Sequence, residues 1–77
     1  MKKEHAEIYK KLRFNITYTR KMSGLSQLQL AEKAGISRTH MSNIEAPNGK
    51  TLPSLDVLID IAKALDVPIS KLFEFYD

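Results

Sequence analysis

Residues 26–45, SQLQLAEKAGISRTHMSNIE, decide how the rest of the chain must be arranged. Ser26 with Gln29 three residues on is the pattern of a capping box, in which each side chain serves the other residue's backbone N–H. Leu30, Ala31 and Ala34 follow at helical spacing, and Gly35 offers the left-handed backbone on which helices commonly stop. A helix is therefore expected over about residues 26–34. Ile36 reads as an apolar plug in the turn that follows. Ser37 is a second N-cap, and Met41 and Ile44 set the apolar side of a second short helix that ends near Glu45.

That second helix is unusual on its other side. It carries Arg38, Thr39, His40, Ser42 and Asn43 where a merely solvated helix would favour Lys, Glu, Gln or Ala. Steps of about 100° from Met41 put Thr39 and Asn43 at the centre of the outward face, Arg38 and Ser42 on one flank and His40 on the other. Arg38 also places a cation in the first turn, where the helix dipole disfavours it by a few tenths of a kcal/mol. A face that neglects helix propensity in favour of short hydrogen-bonding groups points to a surface that reads something.

Composition narrows what that can be. Seventy-seven residues with 43% hydrophobic but only 8% aromatic side chains predict one small domain, residues 1–77, with a core built mainly from Leu, Ile, Val, Met and Ala. The absence of cysteine removes disulfide and thiolate-metal chemistry. No stretch has the length of a signal peptide or of a bilayer span, which predicts a soluble, cytoplasmic protein. The net charge of +3 is unevenly placed. Residues 1–23 carry seven Lys or Arg against Glu4 and Glu7, whereas residues 51–77 carry two against five acidic groups. A basic front and an acidic back suit a polyanion that meets one side of the molecule, although for Lys2, Lys3, Lys10 and Lys11 alone a solvated face is the simpler reading.

The flanking segments also read as helices. From about Glu4 to Met22 a first helix places Ile8, Leu12 and Ile16 at i, i+4 spacing, with Gly24 ending it. Residues 46–53, APNGKTLP, are dense in turn formers. Ser54 then caps a helix with Leu55, Leu58, Ala62 and Leu65 on its stripe, Val67-Pro68 stops it, and Pro68 opens a last helix reaching about Tyr76.

With Arg20 and Gly24-Leu25-Ser26 before them, Gln27, Leu30-Ala31, Gly35-Ile36-Ser37 and Ile44-Glu45 make the chain resemble the Cro and phage-repressor type of helix-turn-helix domain, the XRE family. The likeness continues through Pro53-Ser54-Leu55, Ile61-Ala62, Ala64-Leu65 and Leu72-Phe73. It implies an all-α, five-helix lambda-repressor-like fold with its helix-turn-helix at about residues 26–45, and double-stranded DNA as partner. The resemblance implies phosphate contact by Gln27 and an orienting ion pair between Arg20 and Glu45. Thr17 stands where the family commonly has Arg, and the loop before Leu55 is two residues longer than usual, with Pro47-Asn48 as the insertion.

Chemistry then assigns roles. Arg38 can pair with guanine, Asn43 with adenine, and Thr39 can meet thymine. Ser37, Ser42, His40, Asn48 and Lys50 are the further phosphate candidates. Phe73, Phe75 and Tyr76, clustered in a chain too small to bury them all, are the expected dimer interface. No residues suggest an enzyme, a metal site or a cofactor: His5 and His40 lack acidic neighbours at ligand spacing, and there is no phosphate-binding glycine loop. The sequence thus predicts a homodimeric transcriptional regulator, in the first instance a repressor, on a palindromic operator. The other reading is an antitoxin-like or restriction-modification controller whose C-terminal half binds a protein.

Overall fold

In the computed structural model, which describes residues 2–75, four α-helices are bracketed by two short 3₁₀ helices. A 3₁₀ turn at Lys3–His5 leads into α1 (Ala6–Met22), followed by α2 (Gln27–Ala34), α3 (Arg38–Glu45), α4 (Leu55–Ala64) and a C-terminal 3₁₀ helix, Ile69–Phe73. Every α-helix gives residues to one core. Ile16, Leu30, Met41, Ile44, Ile61 and Leu72 are wholly enclosed, with Leu12, Ala31, Ala34, Leu58, Ala62 and Leu65 closing the gaps between them. Each large side chain so enclosed contributes roughly 2 kcal/mol of transfer free energy, which is what ties α3 to α1 and α2.

Local chemistry starts and stops the helices where the residues suggest. Ser26 Oγ accepts from the Gln29 N–H at 3.0 Å and Gln29 Oε1 accepts from the Ser26 N–H at 2.8 Å, so both halves of the capping box are made. Ser54 Oγ caps α4 through the Val57 N–H at 3.1 Å. Three helices end alike, each on one residue in the left-handed region: Gly24 after α1, Gly35 after α2 and Asp66 after α4. The next N–H then turns back to the last helical turn, as Ile36 N–H does to Ala31 O at 3.0 Å and Val67 N–H to Ala62 O at 3.0 Å.

Three sequence expectations are corrected. The fifth helix is 3₁₀ rather than α, and its described part ends at Phe73. The reason lies in α1: Asn15 Nδ2 donates to the Leu72 and Glu74 carbonyls, each at 3.0 Å, and turns the chain out of a helical path. Ile8 is 52% exposed, and Tyr9, half-buried, packs on the core in its place. Leu55, the first residue of α4, is 64% exposed while Ile61 is enclosed, so the buried stripe of α4 starts one turn later.

Candidate nucleic-acid interface

Ser37 starts α3 by accepting the His40 N–H at 3.0 Å. From there Met41, Ile44 and Glu45 turn inward. Arg38, Thr39, Ser42 and Asn43 remain exposed and His40 half-buried. The three residues suited to base edges therefore lie on a continuous outward surface. Because Met41 and Ile44 have no exposed area, the helix cannot roll without opening the core.

Behind this surface Glu45, at the end of α3, gathers four donor groups from two other helices, α1 and α2. Its Oε1 accepts from Arg20 Nη2 at 2.9 Å, Arg20 Nε at 3.2 Å, the Thr17 hydroxyl at 3.0 Å and Gln27 Nε2 at 3.3 Å. Its Oε2 accepts from Arg20 Nε at 2.8 Å. Arg20 Nη1 reaches on to the Leu25 carbonyl at 2.8 Å, so one guanidinium joins α1, the turn before α2 and the end of α3. Thr17, through that hydroxyl, completes the site. Gln27, half-buried at the start of α2, is oriented by this network with its amide oxygen left available. Removing one partner from such a buried pair costs about 3–5 kcal/mol, chiefly from the charge left behind.

Sequence reasoning missed Arg13, which is 97% removed from solvent. Its Nη1 donates to the Ile44 carbonyl at 2.8 Å and the Asn43 carbonyl at 3.2 Å, and its Nη2 to the Thr51 carbonyl at 2.6 Å. α3 is followed by Ala46 in an extended conformation, with no left-handed residue to return its last carbonyls to the backbone. Arg13 takes that place from another helix, and a cation at a helix C-terminus also suits the dipole. The same fork pins the long loop after α3. That loop folds back so closely that a Cβ on Gly49 would lie 2.9 Å from the Asn43 carbonyl. A signal was present: Arg13 and Arg20 are seven residues apart, hence on one face of α1.

The other candidates fall in three places. Gln27 and Ser42 line one wall of a groove between α1 and the helix-turn-helix. Asn48 and Lys50 sit on the pinned loop beside Lys10. Phe73 and Phe75, with ring centroids 6.3 Å apart, look into different grooves: Phe73 lies with Ile8 and Pro53, Phe75 with Lys10 and Phe14. Phe75 is half-buried and Phe73 is 43% exposed, while Tyr76 lies outside the described residues. Among the described residues there is no group of three acidic or histidine side chains able to hold a metal ion, and no helix long and apolar enough to cross a membrane.

A capped helix, a tight turn through Gly35 and a second helix showing polar groups outward constitute a helix-turn-helix unit inside an all-α fold. The helix-turn-helix family profile matches residues 16–72, and the chain belongs to that family, in its Cro and phage-repressor (XRE) branch. SinR of Bacillus subtilis, an HTH-type transcriptional regulator, is 40% identical over 55 residues, 71% of this chain and 49% of SinR. The control protein C.SmaI of Serratia marcescens is 38% identical over 58 residues, 75% of this chain and 67% of its own length. The immunity repressor of Bacillus phage phi105 is 42% identical over 53 residues, 69% of this chain and 35% of the repressor. The chain spans about half the length of the SinR proteins it matches. These relatives carry the names of regulators, not of enzymes.

Proposed function

We propose that residues 1–77 form one DNA-binding domain of a transcriptional regulator, acting as a repressor, that reads a palindromic operator as a homodimer. The observation that carries this is the exposed face of α3, with Arg38, Thr39 and Asn43 outward on a helix whose other side is buried and whose C-terminal end is held by Arg13 and Arg20 of α1. Arg38 matches the two acceptors of guanine, Asn43 the acceptor and donor of adenine, and Thr39 the thymine methyl. Gln27, Ser37, Ser42, His40, Asn48 and Lys50 surround that face with groups able to meet phosphates, which fix register without reading sequence. The names of SinR and the phi105 immunity repressor agree with a regulator of transcription. Phe73, exposed beside Ile8 and Pro53, gives the apolar patch for a two-fold contact, and two α3 helices one DNA turn apart, about 34 Å, would then face a palindrome.

The test separates reading from holding. Operator found by selection from a random duplex pool, and a scrambled duplex of equal length, are bound in competition by the protein and its variants. Arg38→Ala is expected to lose about 1–3 kcal/mol per half-site on the operator and little on the scrambled duplex. Gln27→Ala is expected to weaken both alike. If Arg38→Ala keeps its discrimination, α3 is not the reader, and binding of a protein partner becomes the function to pursue.

A further inference from the structure

Of the seven cations in residues 1–23, Arg13 and Arg20 are buried and bonded to the protein itself. They therefore offer nothing to a polyanion. Lys10 and Lys21 are exposed, and among the described residues neither has an acidic group within ion-pair distance. Eleven residues at 100° each bring Lys21 back to within about 20° of Lys10 on the surface of α1, some 16 Å further along the axis. Both line the same groove, about 400 Å³ in volume, whose opposite wall holds Gln27 and Ser42 and whose apolar lining includes the exposed rings of Phe14 and Pro47. The one carboxylate in it, Glu45, is neutralised by Arg20. Ser42 is on the flank of α3 rather than its crest, so this groove runs beside the reading face, where one strand's backbone passes when α3 occupies a major groove.

We infer that this groove is a phosphodiester seat, and that Lys10 and Lys21 carry the DNA contact from the helix-turn-helix onto α1. The inference rests on the DNA-binding reading above and adds a strand track that the motif itself does not contain. A chain of phosphates is the occupant that fits two uncompensated cations in line along 16 Å with hydroxyl and amide groups between them. Each phosphate neutralised by a lysine releases counterions and adds about 0.9 to the slope of log K against log salt.

The full chain is titrated with a random-sequence duplex of 25 base pairs between 50 and 200 mM salt. Lys10→Gln with Lys21→Gln is compared against wild type and against Lys33→Gln with Lys63→Gln, which removes the same charge outside the groove. The groove variant is expected to lose about 1.8 from the slope, so that this fourfold rise in salt costs the wild type about 12-fold more affinity than the variant. The control pair is expected to keep the wild-type slope within about 0.5. Equal losses in the two variants, or none in the groove variant, overturn the seat while leaving DNA binding intact. A flat wild-type response removes the DNA-binding reading itself. Amide shifts of Lys10, Lys21 and Ser42 are followed in parallel with the duplex and with adenosine monophosphate. Shifts with the nucleotide alone would overturn the assignment to DNA in favour of a soluble phosphate ester.

Discussion

α2 and α3 have the same length, eight residues, and both start from a serine cap, yet they end by different means. At the end of α2 every bond is local: Gly35 turns left-handed with φ 75°, and the Ile36 N–H returns to Ala31. At the end of α3 the chain leaves extended at Ala46, and the open carbonyls of Asn43 and Ile44 are taken by Arg13, some thirty residues earlier. A locally closed end holds its shape wherever the segment is placed. An end closed by another helix holds only when the fold is complete, and in return the fold sets where that end points. For a helix proposed to read a groove, the second arrangement couples aim to tertiary structure.

The largest effect should come from cutting the remote closure. Arg13→Met leaves three carbonyls without their donor, two of them at the end of α3, and is expected to cost about 3 kcal/mol in urea unfolding. A cost below that of any α2-end substitution would abolish the distinction between the two ends. Gly49→Ala comes next, at about 2 kcal/mol, because its Cβ would meet the Asn43 backbone oxygen at 2.9 Å and the loop has to move. Coupling between Arg13→Met and Gly49→Ala in a double-mutant cycle should be substantial, since both act on the same carbonyl. Gly35→Ala should cost about 1 kcal/mol, from backbone conformation alone, as nothing lies within 4 Å of the added methyl. It should add independently to Arg13→Met. The smallest expected change is a gain: Arg38→Ala removes a cation from the first turn of α3 and should raise stability by a few tenths of a kcal/mol, read as a rise of one or two degrees in Tm.

What could be read in the residues divides along the same line. Ser26, Gln29, Gly35, Ser37 and Ser54 announce their roles within three or four positions, because capping and left-handed turns are chemistry of neighbours. The outward polar face of α3 was equally visible from helical phase. For Arg13 the only signal was its place on the Arg20 face of α1, and its role stayed hidden because its partners lie 30 to 38 residues away and an arginine near an apolar stripe has many solvated alternatives. Ile8 and Leu55 misled for a related reason: helical periodicity marks a face, while the edges of that face are decided by which element covers them. The last helix failed because Asn15 on α1 draws its carbonyls away, a bond across 57 to 59 residues.

That bond has a consequence in time. Leu72, with no exposed area, and the carbonyls held by Asn15 lie about fifty residues after the end of α1. At roughly 5–20 residues per second, a ribosome delivers α1 several seconds before the residues that seal its side. Through that interval the nascent chain displays an open apolar seam along its first helix, and a premature stop after α4 would leave it so. The burden of guarding the newborn protein thus falls on whatever meets α1 first, and it ends only when the C-terminal turn arrives.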